Sequence, residues 1–303
     1  MRLLHQIQSL HQGNRLRVRL GPNGALSHEI PVGRIVKQGC ILAPFLFNFF
    51  INDLISIMAS PNFSPPAVGN RKIASLLYAD DLVLLSQNRI GLKRMLSRLE
   101  EYCETHHLLV NYTKTKIMVC GRYSRTKSIW FLNGHQLEQV STFKYLGICI
   151  NNNLSWSSQL EMIKLMTLRS NGQLKKFFYS RGGQLLGPML KIYTAKLLPK
   201  ILYGVELWGH SVKNKLEVLQ NQFMKQILGL SKGTPAAHLR AELGLLSLAA
   251  RIDLAFLRYW KRSRSLDDSS LIKLCWNDPQ GVNDWGEKTR SYYRFTILLQ
   301  LSS

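Results

Sequence analysis

Carboxylates are scarce in this sequence. It contains 18 Asp and Glu residues against 40 Lys and Arg residues, which gives a formal net charge of +22 and a pI of about 10.0. Residues 105–137 and 162–205 contain no acid at all. A positive surplus of this size favours a polyanionic partner, of which nucleic acid is the commonest. The alternative is a basic protein that has no such partner.

Cysteines and long apolar runs are also few. The five cysteines are odd in number and widely scattered, which argues against a disulfide framework and predicts a reducing, intracellular compartment. The sequence does not distinguish nucleus from cytoplasm. The longest apolar stretch, residues 41–51, is interrupted by Pro44 and Asn48 and is too short to cross a bilayer. No signal peptide follows Met1. We therefore predict a soluble protein without a membrane partner.

The patterning changes character along the chain. Apolar residues make up 46% of the sequence, as in a globular protein. Up to residue 152, short apolar runs and turn signals alternate with helical periods, and from Trp156 onward the period is mostly helical. After residue 262 the period is lost. We therefore divide the chain into an α+β part (1–152), a helical part (153–262) and a weakly ordered tail (263–303).

The most informative stretch is IASLLYADDLVLLS, residues 73–86. Two apolar runs flank Tyr78, Ala79, Asp80 and Asp81, a pattern that predicts two buried strands joined by a tight turn. Adjacent carboxylates at such a turn repel each other and lose hydration, and a divalent cation offsets that cost. Oxygen ligands of this kind suit Mg²⁺. A solvated Asp-Asp turn is the alternative interpretation.

Three further motifs accompany this hairpin in a fixed order. VKQGCILAPFLFN (36–48) places a Gln-Gly turn before an apolar helix that Pro44 opens. The segment from Asn111 to Lys116 lies between two short segments that are predicted to be extended, residues 108–110 and 117–120. FKYLG (143–147) lies in a predicted strand pair.

With these motifs in this order, the sequence resembles the reverse transcriptases of non-LTR (LINE-type) retrotransposons over residues 5–260. Residues 36–48 resemble the family's template- and nucleotide-contacting motif, and residues 78–81 its catalytic Y-x-D-D. Residues 109–116 are similar to the motif that ends in a lysine near the pyrophosphate, and residues 143–147 to the primer grip. The resemblance implies a partial polymerase palm, an antiparallel sheet with helices, followed by an all-helical thumb-like domain.

The resemblance also implies roles for single residues. Asp80 and Asp81 would hold Mg²⁺ or Mn²⁺, and Lys114 would stabilise the leaving pyrophosphate, unless it is a solvated surface lysine. The partners would be an RNA template, a DNA primer and a dNTP. The residues implied to bind nucleic acid or nucleotide are Gln38, Gly39, Tyr78, Lys144, Tyr145, Leu146, Gly147, Lys175 and Lys176. From the residues alone, Gly39 could equally be a turn glycine, and Tyr145 a half-buried strand residue.

One departure from the family pattern changes the functional expectation. The family has another catalytic aspartate on an upstream strand, and before Tyr78 this chain has only Glu29 and Asp53, neither in that pattern. We therefore expect an N-terminally truncated polymerase segment that does not polymerise alone. The main alternative is a non-catalytic nucleic-acid-binding protein that uses the basic thumb. An intron-maturase-like RNA-binding protein is a further alternative, disfavoured by the region after residue 200.

Overall fold

A computed structural model describes residues 2–22, 24–31, 39–121, 127–179, 186–277 and 295–302. Its α-helices are Arg2–His11 (α1), Ala43–Ile57 (α2), Arg89–His106 (α3), Ser157–Tyr179 (α4), Leu186–Ile192 (α5), Leu198–Ile201 (α6), Val205–Trp208 (α7), Lys213–Ile227 (α8), Ala236–Glu242 (α9), Leu248–Arg264 (α10) and Leu271–Asn277 (α11). Its strands are Arg15–Leu16 (β1), Ile30–Pro31 (β2), Ala67–Val68 (β3), Arg71–Lys72 (β4), Ser75–Tyr78 (β5), Asp81–Ser86 (β6), Leu109–Val110 (β7), Lys116–Met118 (β8), Trp130–Leu132 (β9), His135–Gln139 (β10), Thr142–Tyr145 (β11), Ile148–Asn151 (β12) and Phe295–Ser302 (β13).

The elements up to β12, together with β13, make up what we call the sheet half. It contains a seven-stranded sheet with the order β5-β6-β13-β8-β10-β9, in which β7 also pairs with β13. The mixture of helices and sheets agrees with the predicted α+β class. The predicted sheet was antiparallel, and in this respect the structure differs, because β8 and β10 run parallel. The β9–β10 hairpin turns at Asn133 and Gly134, as predicted. Its second strand, β10, is the one that pairs in parallel with β8.

Strand β13 comes from the tail of the sequence and lies between β6 and β8. It pairs antiparallel with both, for example through Leu298 with Val83 on one side and with Lys116 on the other. We predicted weak order for residues 263–303, and the structure has regular elements there, namely the end of α10, α11 and β13. The domain division as a whole stays a prediction.

The core of the sheet half forms where α2 and α3 cover the sheet. Pro44 lies in the first turn of α2, as its sequence position indicates. Asn88 caps α3, and its side-chain oxygen accepts a hydrogen bond from the Gly91 amide at 2.7 Å. Helical spacing on α3 then directs Leu92, Met95, Leu96 and Leu99 into the core together with strand residues such as Leu82, Leu84 and Ile117.

A second core holds together helices α4 to α10, which we call the helical half. Its largest fully buried side chains are Tyr193 and Trp208. The buried Gln220 amide donates to the Tyr193 hydroxyl at 2.9 Å and its oxygen accepts from the Leu248 amide at 3.0 Å, so α8 is tied to α10. Within the described part of the chain, no helix is both long and apolar enough to cross a membrane.

Candidate functional site

The two adjacent carboxylates lie at the tip of the β5–β6 hairpin. Tyr78 pairs with Asp81, so that Ala79 and Asp80 form a two-residue turn. Strand β6 lies between β5 and β13, and its successive residues Leu82, Val83 and Leu84 are all buried, so both of its faces are covered. This sheet position holds the hairpin rigidly and presents its polar tip at one end. Asp80 and Asp81 are half-buried there, while Tyr78 is exposed.

The electrostatics of the tip follow from this crowding. Burial raises the pKa of the Asp81 carboxyl, and the negative charge of Asp80 raises it further. The positive charge of Lys114 lowers the same pKa and offsets part of the effect. Two carboxylates that are costly to ionise together are a donor set that a hard divalent cation stabilises. The composition of the tip therefore fits Mg²⁺ or Mn²⁺.

Lys114 is carried by a tight turn between β7 and β8. The Asn111 carbonyl accepts a hydrogen bond from the Thr115 amide at 2.9 Å and one from its buried hydroxyl at 2.8 Å. The Asn111 side-chain oxygen accepts from the Lys114 amide at 3.1 Å and from the Thr113 hydroxyl at 2.7 Å. These contacts fix the backbone under Lys114, whose side chain is exposed and whose charge acts on Asp81.

The β11–β12 hairpin brings Tyr145 to the same carboxylate. Burial raises the pKa of the half-buried Tyr145 hydroxyl, and the negative charge of Asp81 adds to the rise. Lys144 pairs across the hairpin with Cys149 and is exposed. Asp81 therefore interacts electrostatically with both Lys114 and Tyr145, two residues that the motifs place more than thirty positions downstream.

The other residues implied by the resemblance are placed less completely. Gln38 lies outside the described residues. Gly39 lies in an exposed turn before α2 with a φ of +83°, a conformation that favours glycine. Lys175 and Lys176 lie near the end of α4 in the helical half. The nucleic-acid roles of all these residues stay predictions.

The two acids before Tyr78 are both engaged elsewhere. Glu29 accepts hydrogen bonds from Arg15 and Arg17 at 2.5 Å each, which lowers its pKa. Asp53 accepts a 2.6 Å hydrogen bond from the Tyr102 hydroxyl. Among the described residues, no three His, Cys, Asp or Glu side chains come together as a metal site. The carboxylate pair therefore has no third acidic ligand within that part of the chain.

The turn at Ala79 provides a test of the hairpin. Ala79 has a φ of +51°, the left-handed region in which an alanine is strained by about 1–2 kcal/mol. Ala79→Gly relieves that strain and costs about 0.5–1 kcal/mol in additional chain entropy. We expect the free energy of unfolding in urea to rise by about 0.5 kcal/mol, with an unchanged m-value.

Ala255, in the middle of α10, supplies the matched control. Ala255→Gly should lower the free energy of unfolding by about 1 kcal/mol or more, because there the backbone is helical, glycine adds entropy to the unfolded chain, and the lost methyl group packs against the core of the helical half. Equal losses in the two variants would contradict the left-handed turn at Ala79.

Comparison with known proteins gives consistent matches. Residues 5–150 match the family model described as reverse transcriptase (RNA-dependent DNA polymerase). The chain is 27% identical over 270 residues to the probable RNA-directed DNA polymerase from transposon BS of Drosophila melanogaster, which covers 85% of this chain and 29% of that protein. It is 23% identical over 262 residues to the RNA-directed DNA polymerase from mobile element jockey of the same organism, which covers 83% of this chain and 28% of that protein.

A third relative comes from a different element. The Pol polyprotein from the type-1 retrotransposable element R2 of Popillia japonica is 27% identical over 253 residues, which covers 76% of this chain and 39% of that protein. The predicted resemblance to non-LTR retrotransposon reverse transcriptases is thus confirmed. The chain spans less than a third of the length of the BS and jockey proteins.

Proposed function

We propose that this chain, whose residues 5–150 match the reverse transcriptase family model, carries the metal-binding hairpin and the duplex-binding surface of an RNA-directed DNA polymerase. The sheet half would act as part of the palm and the helical half as the thumb. The substrates would be an RNA template, a DNA primer and a dNTP. The observation that supports this most directly is the β5–β6 hairpin, which holds Asp80 and Asp81 side by side at the tip of a strand pair whose second strand is buried.

Each group at the tip has a distinct task in this proposal. Asp80 and Asp81 would hold Mg²⁺ or Mn²⁺, which when bound stabilises the charge of the attacking and leaving oxygens. Lys114 would place a fixed positive charge beside the departing pyrophosphate. Lys144 and Tyr145, on the hairpin beside Asp81, would position the primer strand. The exposed charge of Lys144 suits a phosphate, and the ring of Tyr145 suits a sugar or base.

The proposal includes a limit on activity. Two-metal transfer would need more carboxylates than the pair at the hairpin tip, and Glu29 and Asp53 are bound to other side chains. The polypeptide of this sequence would therefore bind substrate and metal weakly but not extend a primer. A polypeptide that supplied one more carboxylate at the tip would restore the reaction.

Primer extension tests this directly. Purified protein with oligo(dT) on poly(rA), and with Mg²⁺ or Mn²⁺, should incorporate no more nucleotide than an Asp80→Ala variant. Mn²⁺ binding, followed by electron paramagnetic resonance, should nevertheless be weakened about tenfold or more in Asp80→Ala, since a carboxylate ligand is removed. Asp268→Ala, at an exposed aspartate paired with Lys273, is the control and should leave Mn²⁺ affinity unchanged.

The primer-extension and Mn²⁺-binding measurements together distinguish the two candidate functions. Extension above the Asp80→Ala background would contradict the proposed need for a further carboxylate. Equal Mn²⁺ affinity in all three proteins would contradict a metal site at the hairpin. In that case the excess of basic residues would support the second candidate, a nucleic-acid-binding protein without catalysis.

A further inference from the structure

The turn of the β11–β12 hairpin has an unusual conformation for its sequence. Tyr145 pairs with Ile148, so Leu146 and Gly147 form a two-residue turn. Both have positive φ, +44° at Leu146 and +88° at Gly147. Turns of this kind favour Asn-Gly or Gly-Gly, because a branched side chain such as leucine is sterically strained there. Such a conformation persists where surrounding groups hold it in place.

Tyr203 supplies contacts that hold this turn. Its hydroxyl donates a hydrogen bond to the Leu146 carbonyl at 2.9 Å. Its ring lies against Gly147, where an added Cβ would be only 2.9 Å from the Tyr203 Cε1 atom. The next residue, Gly204, lies equally close to the strand that follows the turn, since a Cβ there would be 2.6 Å from Ile148 Cδ1. Two consecutive residues of the helical half therefore contact the hairpin tip.

Tyr203 is itself anchored to the core of the helical half. Its carbonyl accepts a 3.1 Å hydrogen bond from the indole nitrogen of Trp208, which is fully buried. Gly204, with a φ of +62°, reverses the chain between α6 and α7 and allows this return contact. Tyr203 is 56% exposed, so it lies at the edge of the helical half rather than inside it. An exposed tyrosine held at both ends is suited to positioning a neighbouring loop.

We propose that Tyr203 is a positioning residue that fixes the tip of the β11–β12 hairpin against the helical half, and so determines where Lys144 and Tyr145 meet a primer strand. The part that concerns the primer rests on the proposed function. The part that concerns the hairpin does not, because it follows from the contacts of Leu146, Gly147 and Tyr203 alone.

Hydrogen exchange without nucleic acid tests the positioning. Tyr203→Phe removes only the hydroxyl, and we expect the amides of the β11–β12 hairpin to exchange about threefold to tenfold faster, the factor that corresponds to one lost hydrogen bond. Amides of the β9–β10 hairpin should not change. Tyr259→Phe, at a half-buried tyrosine of α10, is the matched control and should leave both hairpins unchanged.

Gly147→Ala serves as the second variant, since its Cβ would displace the Tyr203 ring and strain the turn. It should accelerate exchange at the same amides at least as much as Tyr203→Phe. Unchanged exchange in both variants, or acceleration throughout the protein, would overturn the positioning role.

A fluorescent base distinguishes positioning of the primer from general stability. With 2-aminopurine at the primer 3′ end, Tyr203→Phe should alter the fluorescence of the bound primer–template, whereas 2-aminopurine in the middle of the duplex should report no change. Equal changes at both positions, or none at the primer end of a duplex that still binds, would overturn the link to the primer. Absence of duplex binding by the unsubstituted protein would instead refute the proposed function, and the exchange result would still decide the role of Tyr203.

Discussion

Affinity for a primer–template duplex is expected to fall by about a thousandfold or more when the salt concentration rises from about 50 to about 200 mM. The chain has a net charge of +22, and its helical half contains an acid-free run, residues 162–205, that covers most of α4 and all of α5. Each lysine or arginine that contacts a phosphate releases counterions, so six to ten contacts, about the number a duplex-binding surface makes, give a loss of this order. Fluorescence anisotropy with RNA–DNA duplexes of two unrelated sequences measures it.

Single lysines identify the surface responsible. Lys175→Ala and Lys176→Ala should each reduce the salt slope by about one and weaken binding to both duplexes equally, because phosphate contacts carry no sequence information. Lys213→Ala is the control, since Lys213 already pairs with Asp253 at 3.2 Å. A flat salt dependence, or a slope unchanged in both α4 variants, would contradict duplex binding by this surface.

Gly91→Ala is expected to lower the free energy of unfolding by about 3 kcal/mol, the upper end of the usual cost of overpacking. Gly91 lies in the first turn of α3, where an added Cβ would be 2.2 Å from the Phe63 carbonyl oxygen and 2.6 Å from the Ser86 hydroxyl. The hydroxyl of the buried Ser86 donates to that same carbonyl at 2.7 Å. The methyl group must therefore separate α3 from the end of β6 or break this buried hydrogen bond.

Gly172→Ala is expected to change the free energy of unfolding in the opposite direction. Gly172 lies inside α4, is exposed, and an added Cβ would contact nothing within 4 Å. Gly172→Ala should therefore raise the free energy of unfolding by about 1 kcal/mol through helix propensity. Urea unfolding of both variants provides the measurement. A similar change in the two would show that α3 does not pack closely on residue 63.

The local elements of the fold could be predicted because their causes are local. The apolar runs around residues 78–81 predict the β5–β6 hairpin, Asn133-Gly134 predicts the β9–β10 turn, and Pro44 predicts the start of α2. The proximity of Lys114 and Tyr145 to Asp81 could be expected only through the family resemblance. Nothing in the spacing of these residues specifies that the charge of Lys114 acts on Asp81, or that the charge of Asp81 acts on Tyr145.

The elements that sequence patterning missed depend on distant contacts. The run at residues 295–302 is apolar enough for a strand, but its partners β6 and β8 cannot be identified from local periodicity. The parallel pairing of β8 with β10 was missed for the same reason, because local periodicity does not identify the partner of a strand. Tyr203 was missed as a positioning residue because its partner, Leu146, lies in another motif. The Tyr-Gly pair at residues 203–204 is the signal that could have indicated a tight turn there.

The place of β13 in the sheet has a consequence for how the molecule reaches its fold. Leu82 pairs with Leu299, so the two partners lie far apart in the sequence, and this pairing has a high contact order. The hairpins β5–β6 and β9–β10 can form as soon as they are synthesised. The edges of β6 and β8 remain open until residues 295–302 leave the ribosome, and open edges are the sites at which nascent chains associate. Completion of the sheet is therefore a late step, and until it occurs the protein depends most on dilution or chaperones to avoid association.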